Sequence, residues 1–165
     1  MKKVIIGLAL PVSLFVLAAC GNGEGEAGSH DNHENHEAHS PVGDIREETS
    51  AAHILPVFLT DKHEMLQQTY QAVALNQELL EHIPCYCGCG DTVGHKSSLE
   101  CFVYQQNEDG SIVWDDHGTK CNVCVEIALR SMVEYNEGKS IAEIRDMIDN
   151  SYKEGYPDPT PTPRL

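Results

Sequence analysis

Hydrophobic and polar positions divide the chain into a short apolar run, a polar stretch and a region of helical periodicity. Residues 4–16 are almost wholly apolar, with Pro11 and Ser13 as interruptions. Residues 21–55 are rich in Gly, Glu, His, Asn and Ser and hold few apolar side chains. Such a stretch buries too little surface to offset the entropy of folding, and it reads as a tether. Periodicity begins near Pro56. Asp61 and Glu64 suit a helix start, and Leu66, Tyr70, Val73 and Leu80 recur at helical spacing until Pro84. Residues 85–95, rich in Gly and Cys, read as a loop. Ser97 or Ser98 opens a short helix through Leu99, Cys101, Phe102 and Tyr104, and residues 107–110 form a turn by composition. A helix follows over 119–135, with Cys121, Val125, Ala128 and Met132 on one face and Gly138 just past its end. Ser140 and Glu143 have the spacing of a capping box for a last helix, striped by Ile141, Ile144, Ile148 and Tyr152. Residues 156–165 form a Pro-rich, extended tail. The pattern predicts a mostly α fold: a small helical domain over 56–155 with Cys-rich loops, preceded by a leader and a disordered tether.

The apolar run is too short to span a bilayer as a helix, which takes roughly 20 residues. Lys2 and Lys3 precede it and Leu17-Ala18-Ala19-Cys20 follows it. A positive start, a short apolar core and small residues before a cut describe a secretory signal, here residues 1–19. The cysteine directly after Ala19 makes this a lipobox. Its thiol receives a diacylglycerol, Cys20 becomes the new N-terminus, and residues 20–55 tether the domain to the outer face of the cell membrane. The formal charge is -15 at pH 7, and loss of Lys2 and Lys3 deepens it. So acidic a chain excludes nucleic acid as a partner and leaves the lipid, not charge, to hold the membrane.

Two features carry candidate chemistry. In the tether, His30, His33, His36 and His39 recur every third residue among carboxylates. Flexible His-rich tracts bind Zn, Cu or Ni weakly and exchangeably. In the domain, Cys85, Cys87 and Cys89 fall within five residues, followed by His95 and Cys101, and His117 precedes the pair Cys121 and Cys124. The second pair lies one turn apart at a helix start, where free N–H groups favour thiolates. Three chemistries fit. Thiolate and imidazole together suit copper or zinc, with these eight residues as ligands of one or more sites. The compartment is oxidising, so disulfides between the clusters are a second possibility. Thiol–disulfide exchange at Cys121-x-x-Cys124 is a third, although no thioredoxin-like βαβ pattern surrounds it. The metal reading makes the protein a copper or zinc carrier, store or sensor, with a metal-receiving protein as partner. No Ser-His-Asp arrangement, phosphate-binding glycine loop or obvious carboxylate pair stands out, and nothing requires an enzyme. The two clusters should converge in space, because each alone offers only part of a ligand shell.

The string Pro84-Cys85-Tyr86-Cys87-Gly88-Cys89, with His95, Cys101 and Cys121-x-x-Cys124 behind a lipobox, resembles the PCYCGC-motif lipoproteins of Bacillus-like bacteria. That resemblance implies a membrane-attached domain of uncharacterised function. Gly138-Lys139-Ser140 with Glu143-Ile144-Arg145 and Tyr152 also looks like the helix ends of thiol-reducing subunits in cytochrome c maturation. This shorter likeness implies thiol redox.

Overall fold

The computed structural model describes residues 43–165. The leader, Cys20 and the four tether histidines lie outside the described residues. The described residues form five helices and a three-stranded antiparallel sheet: α1 (Glu64–Leu75), α2 (Gln77–Glu81), α3 (Cys89–Thr92), α4 (Asn122–Asn136) and α5 (Ile141–Tyr152), with β1 (Arg46–Thr49), β2 (Val103–Gln106) and β3 (Ile112–Asp115) in the order β1-β3-β2. The expected mostly α fold is therefore corrected to a mixed α/β one. The physical reason lies in the strands. Each is four residues long, and the two edge strands are polar on their outer faces, so neither shows an alternating stripe.

Local differences follow, the first being that the short helix α3 forms within residues 85–95, which read as a loop. Residues 46–49, expected within the tether, pair with β3 from Arg46↔Asp115 to Thr49↔Ile112. The short helix expected through Tyr104 stops after a single 3-10 turn at Leu99–Cys101, and the chain then extends as β2. The long helix expected before Pro84 breaks at Asn76, whose side-chain amide donates to the Ala72 carbonyl. The capping box at Ser140 and Glu143 forms as the spacing predicts, with both reciprocal bonds present. Among the described residues no helix is long and apolar enough to cross a membrane.

The core lies between the sheet and the helices. Trp114 at the centre of β3 is fully buried, and its indole N–H donates to Thr49 Oγ1 at 2.8 Å. Tyr70 of α1 packs edge-on against Phe102, ring centroids 5.0 Å apart, and donates its hydroxyl proton to the Asp115 carbonyl. Gly118 sits under this pair. A Cβ there would lie 2.5 Å from the Phe102 ring, so no larger residue fits without displacing the aromatic core. On the other side, Ile127 of α4 packs with Ile144 and Ile148 of α5, all buried.

The Pro-rich tail is extended, as its composition predicts, but it also carries buried threonines. Thr160 pairs with Cys85 twice: its N–H donates to the Cys85 carbonyl, and its hydroxyl accepts from the Cys85 N–H, both at 2.9 Å. Thr162 donates to the Lys96 carbonyl at 2.8 Å. Arg145 of α5 in turn donates to the carbonyls of Thr162 and Pro163. The tail thus closes over the Cys-rich loop and fixes the backbone at its first cysteine.

Candidate metal centre

The loop after α2 must carry three thiols in five residues toward one point. Gly88 makes this possible. Its φ of +86° is left-handed, a conformation that costs glycine nothing, and it turns the chain straight into α3, which begins at Cys89. Cys101 comes from the 3-10 turn that precedes β2. His117 lies in the 3-10 turn directly after β3, where the Asp115 carboxylate accepts its N–H at 3.0 Å. Cys121 is the N-cap of α4, and Cys124 lies in its first turn.

These elements bring the two sequence clusters together. Cys85 Sγ is 3.4 Å from Cys87 Sγ and 3.5 Å from Cys124 Sγ, and Cys87 Sγ is 3.4 Å from Cys124 Sγ. Cys89 Sγ lies 3.7 Å from Cys101 Sγ, and His117 Nε2 lies 3.6 Å from Cys87 Sγ. The six cysteines of the described residues carry free thiols. A disulfide would hold its sulfurs about 2.05 Å apart. The corners of a tetrahedron drawn around zinc with Zn–S near 2.3 Å stand about 3.8 Å apart, close to the separations seen here. Two sets of four have all ligand atoms within 4.8 Å of one another: Cys85, Cys87, Cys101 and Cys124, and Cys87, Cys89, Cys101 and His117.

So many buried thiols cannot all ionise together, and they divide accordingly. Hydrogen bonds from Cys101, Cys121, Cys124 and Cys85 hold Cys87 far below the usual thiol range. Cys101 and Cys124 hold Cys85 down in the same way. Cys101 is pushed up, first by Cys124 and then by Cys85, Cys87 and Cys89. Cys89 is also raised, because Cys85, Cys87 and burial outweigh the lowering contact with Cys101. Cys121 is pushed up to about 12, its lowering contact with Cys124 being outweighed by Cys87 and by burial. His117 is raised to about 9: burial lowers it, but the Cys87 thiolate and the Asp44 carboxylate prevail. Cys85 and Cys87 are thus the thiols most ready to lose a proton, Cys87 beside a His117 that holds its own, while Cys89, Cys101, Cys121 and Cys124 are pushed the other way. Cys85, Cys87, Cys89, Cys101, Cys124 and His117 are the groups that would hold a soft cation, which would supply the positive charge the sulfurs now share with protons.

Behind His117 stands a layer of carboxylates. Asp44 Oδ2 lies 3.0 Å from His117 Nδ1, so the ring presents Nε2 to the sulfurs. Asp44 is itself held by Lys120 at 3.3 Å, and the neighbouring Ile45 donates its N–H to the Asp116 carboxylate and accepts the Asp116 N–H at its carbonyl. A carboxylate on the far nitrogen of a metal-binding imidazole fixes its tautomer and raises its basicity, and loss of such a partner typically costs 10–100-fold in metal affinity. Asp44→Asn keeps the shape and removes the charge. It should weaken metal binding by about that factor, as read by competition with a chromophoric chelator on folded protein, and should also lower the melting temperature of the metal-free protein, because His117 and Lys120 lose an anionic partner.

Of the eight ligands expected from sequence, Cys85, Cys87, Cys89, Cys101, Cys124 and His117 fall into the two four-ligand sets. Cys121 stays outside both, half-buried at the α4 N-cap, although it lies close enough to Cys87 and Cys124 to alter their protonation. His95 is not among the sulfurs. It is buried 4.9 Å from the His117 ring, with Nε2 3.7 Å from Asp44 and 3.6 Å from Asp115, so it belongs to the carboxylate layer. Asp44, Asp115 and Asp116 were missed by sequence reasoning. The run Asp115-Asp116-His117 was a usable signal. Asp44, in a stretch read as tether, offered none.

Comparison with known proteins gives one family. The sequence model of a family described as protein of unknown function with PCYCGC motif matches residues 9–165. No curated protein and no solved structure matches the chain.

Proposed function

We propose that this chain, which belongs to the PCYCGC-motif family of proteins of unknown function, is a metal-binding protein that uses the motif's own cysteines as ligands for copper or zinc. One observation carries the reading. Cysteines from the loop after α2, from the turn before β2 and from the start of α4 meet an imidazole at ligand spacing, with their thiols unpaired. Thiolate and imidazole select Zn(II) and Cu(I) over harder ions. Burial excludes water and competing ligands, and the tail that pins Cys85 holds the loop ready. The protein serves as a carrier, store or sensor that gives its ion to a receiving protein, and the half-buried Cys121 offers a point of entry beside Cys87 and Cys124.

The lipobox at Cys20 supports a place on the outer face of the membrane. There His30, His33, His36 and His39 would collect ions at low affinity. Cys20→Ser should abolish lipid labelling and release the protein from membranes. Continued labelling of that variant would rule the anchor out.

The test of the metal reading is elemental analysis of protein purified reduced and without added metal, joined to a free-thiol count. Bound copper or zinc that shields the thiols until a chelator removes it supports coordination. A metal-free protein with its cysteines in disulfides would overturn it in favour of a disulfide-stabilised module. A metal-free pair that cycles with a thiol reductant would point instead to thiol redox.

A further inference from the structure

We infer that the centre holds two metal ions, not one, joined by the sulfurs of Cys87 and Cys101. This rests on the metal-binding reading and goes beyond it in nuclearity and in the role of each ligand. The observation is the overlap of the two ligand sets. Cys85, Cys87, Cys101 and Cys124 form one, Cys87, Cys89, Cys101 and His117 the other, and Cys87 and Cys101 belong to both. Two tetrahedra that share two corners share an edge, and an ion at the centre of each is bound by both shared sulfurs. Cys85 and Cys124 are then the terminal ligands of the first ion, and Cys89 and His117 those of the second.

Ligand satisfaction points the same way. A single ion in the first set leaves Cys89 and His117 without metal, and both are buried. A single ion in the second set leaves Cys85 and Cys124, which are also buried. Two ions engage all six of these side chains, whereas either single ion leaves two of them outside its shell. Charge agrees as well. The sets together contain five cysteines and one histidine. Five thiolates against two divalent ions leave a net charge of about minus one, whereas one divalent ion on four thiolates leaves about minus two. The binuclear centre is thus less charged than one ion in the four-cysteine set and no more charged than one ion in the set with three cysteines and His117, and Zn(II), which is four-coordinate and tetrahedral in such sites, suits both halves. Binding releases thiol protons and the His117 proton to solvent, with no oxidation or reduction.

The roles are unequal, and that makes the inference testable. Cys87 also lies nearest the neighbours: Cys85, Cys124 and His117 are all within 3.6 Å of its sulfur. Loss of a bridging sulfur damages both halves, whereas loss of a terminal ligand damages one. The full chain, reduced and in detergent, is titrated with Zn(II) against a chelator strong enough to strip the tether histidines. Two tightly held ions per chain are expected, falling to about one in Cys85→Ser and in His117→Ala, and to none in Cys101→Ser. One ion per chain in the wild type would overturn the binuclear centre but leave the metal reading standing. No tightly held ion would overturn both. Cadmium NMR of the wild type does not depend on any variant folding. Two cadmium resonances coupled to each other through shared sulfurs are expected, and two uncoupled resonances would overturn the bridge.

Discussion

Cys87→Ser should abolish tight metal binding altogether. Its sulfur lies within 3.6 Å of Cys85, Cys124 and His117, and it belongs to both groups of ligand atoms. A serine hydroxyl keeps the volume but is a hard, neutral donor that soft ions avoid. Metal binding to the folded state stabilises it by about 4 kcal/mol when free metal exceeds the dissociation constant about a thousand-fold. The wild type should therefore melt well above its metal-free form under those conditions, and Cys87→Ser should melt at the same temperature with or without metal. The metal-free forms of the two proteins provide the control for packing. A variant that keeps the wild-type metal-dependent rise would place the site elsewhere.

A chain that starts at Pro56 should not fold stably, whereas one that starts at Gly43 should. The boundary read from composition at residue 55 cuts through the sheet. Removing β1 strips β3 of one hydrogen-bonding partner along Arg46 to Thr49 and takes away the acceptor of the Trp114 indole N–H. Trp114, fully buried in the intact protein, would then face water on that side. Loss of packing around a large core aromatic costs roughly 3–5 kcal/mol, against a total stability of about 5–15 kcal/mol for a domain. The shortened chain also lacks Asp44 and so leaves His117 without its carboxylate. Denaturant unfolding followed by tryptophan fluorescence decides the matter. Equal midpoints for the two chains would show that β1 contributes nothing to stability.

What the sequence discloses follows the range of the interactions involved. The Ser140 capping box and the stripe of Ile144, Ile148 and Tyr152 are local, and they form as the spacing predicts. Convergence of the cysteine clusters was legible from ligand number, since neither cluster completes a shell. The sheet was not legible. Arg46-Glu47-Glu48-Thr49 and Val103-Tyr104-Gln105-Gln106 are short and polar, and only their pairing with Ile112–Asp115 makes them strands. Asp44 was hidden for the same reason: it meets His117 across 73 residues. His95 lies apart from the sulfurs: the turn after α3 directs it to Asp44 and Asp115, where it forms a further possible ligand group with Asp44 and His117. The Pro-rich tail shows no apolar stripe, and its role came from two threonines whose partners are Cys85 and Lys96.

X-ray absorption at the metal edge of the zinc- or copper-loaded full chain tests the central claim most directly, because it reads the ligand atoms themselves. The expected nearest shell is dominated by sulfur, at about 2.3 Å for zinc, with a smaller nitrogen contribution near 2.0–2.1 Å from His117. A shell of nitrogen and oxygen alone, as the tether histidines and carboxylates would give, would contradict a metal centre built on the PCYCGC cysteines.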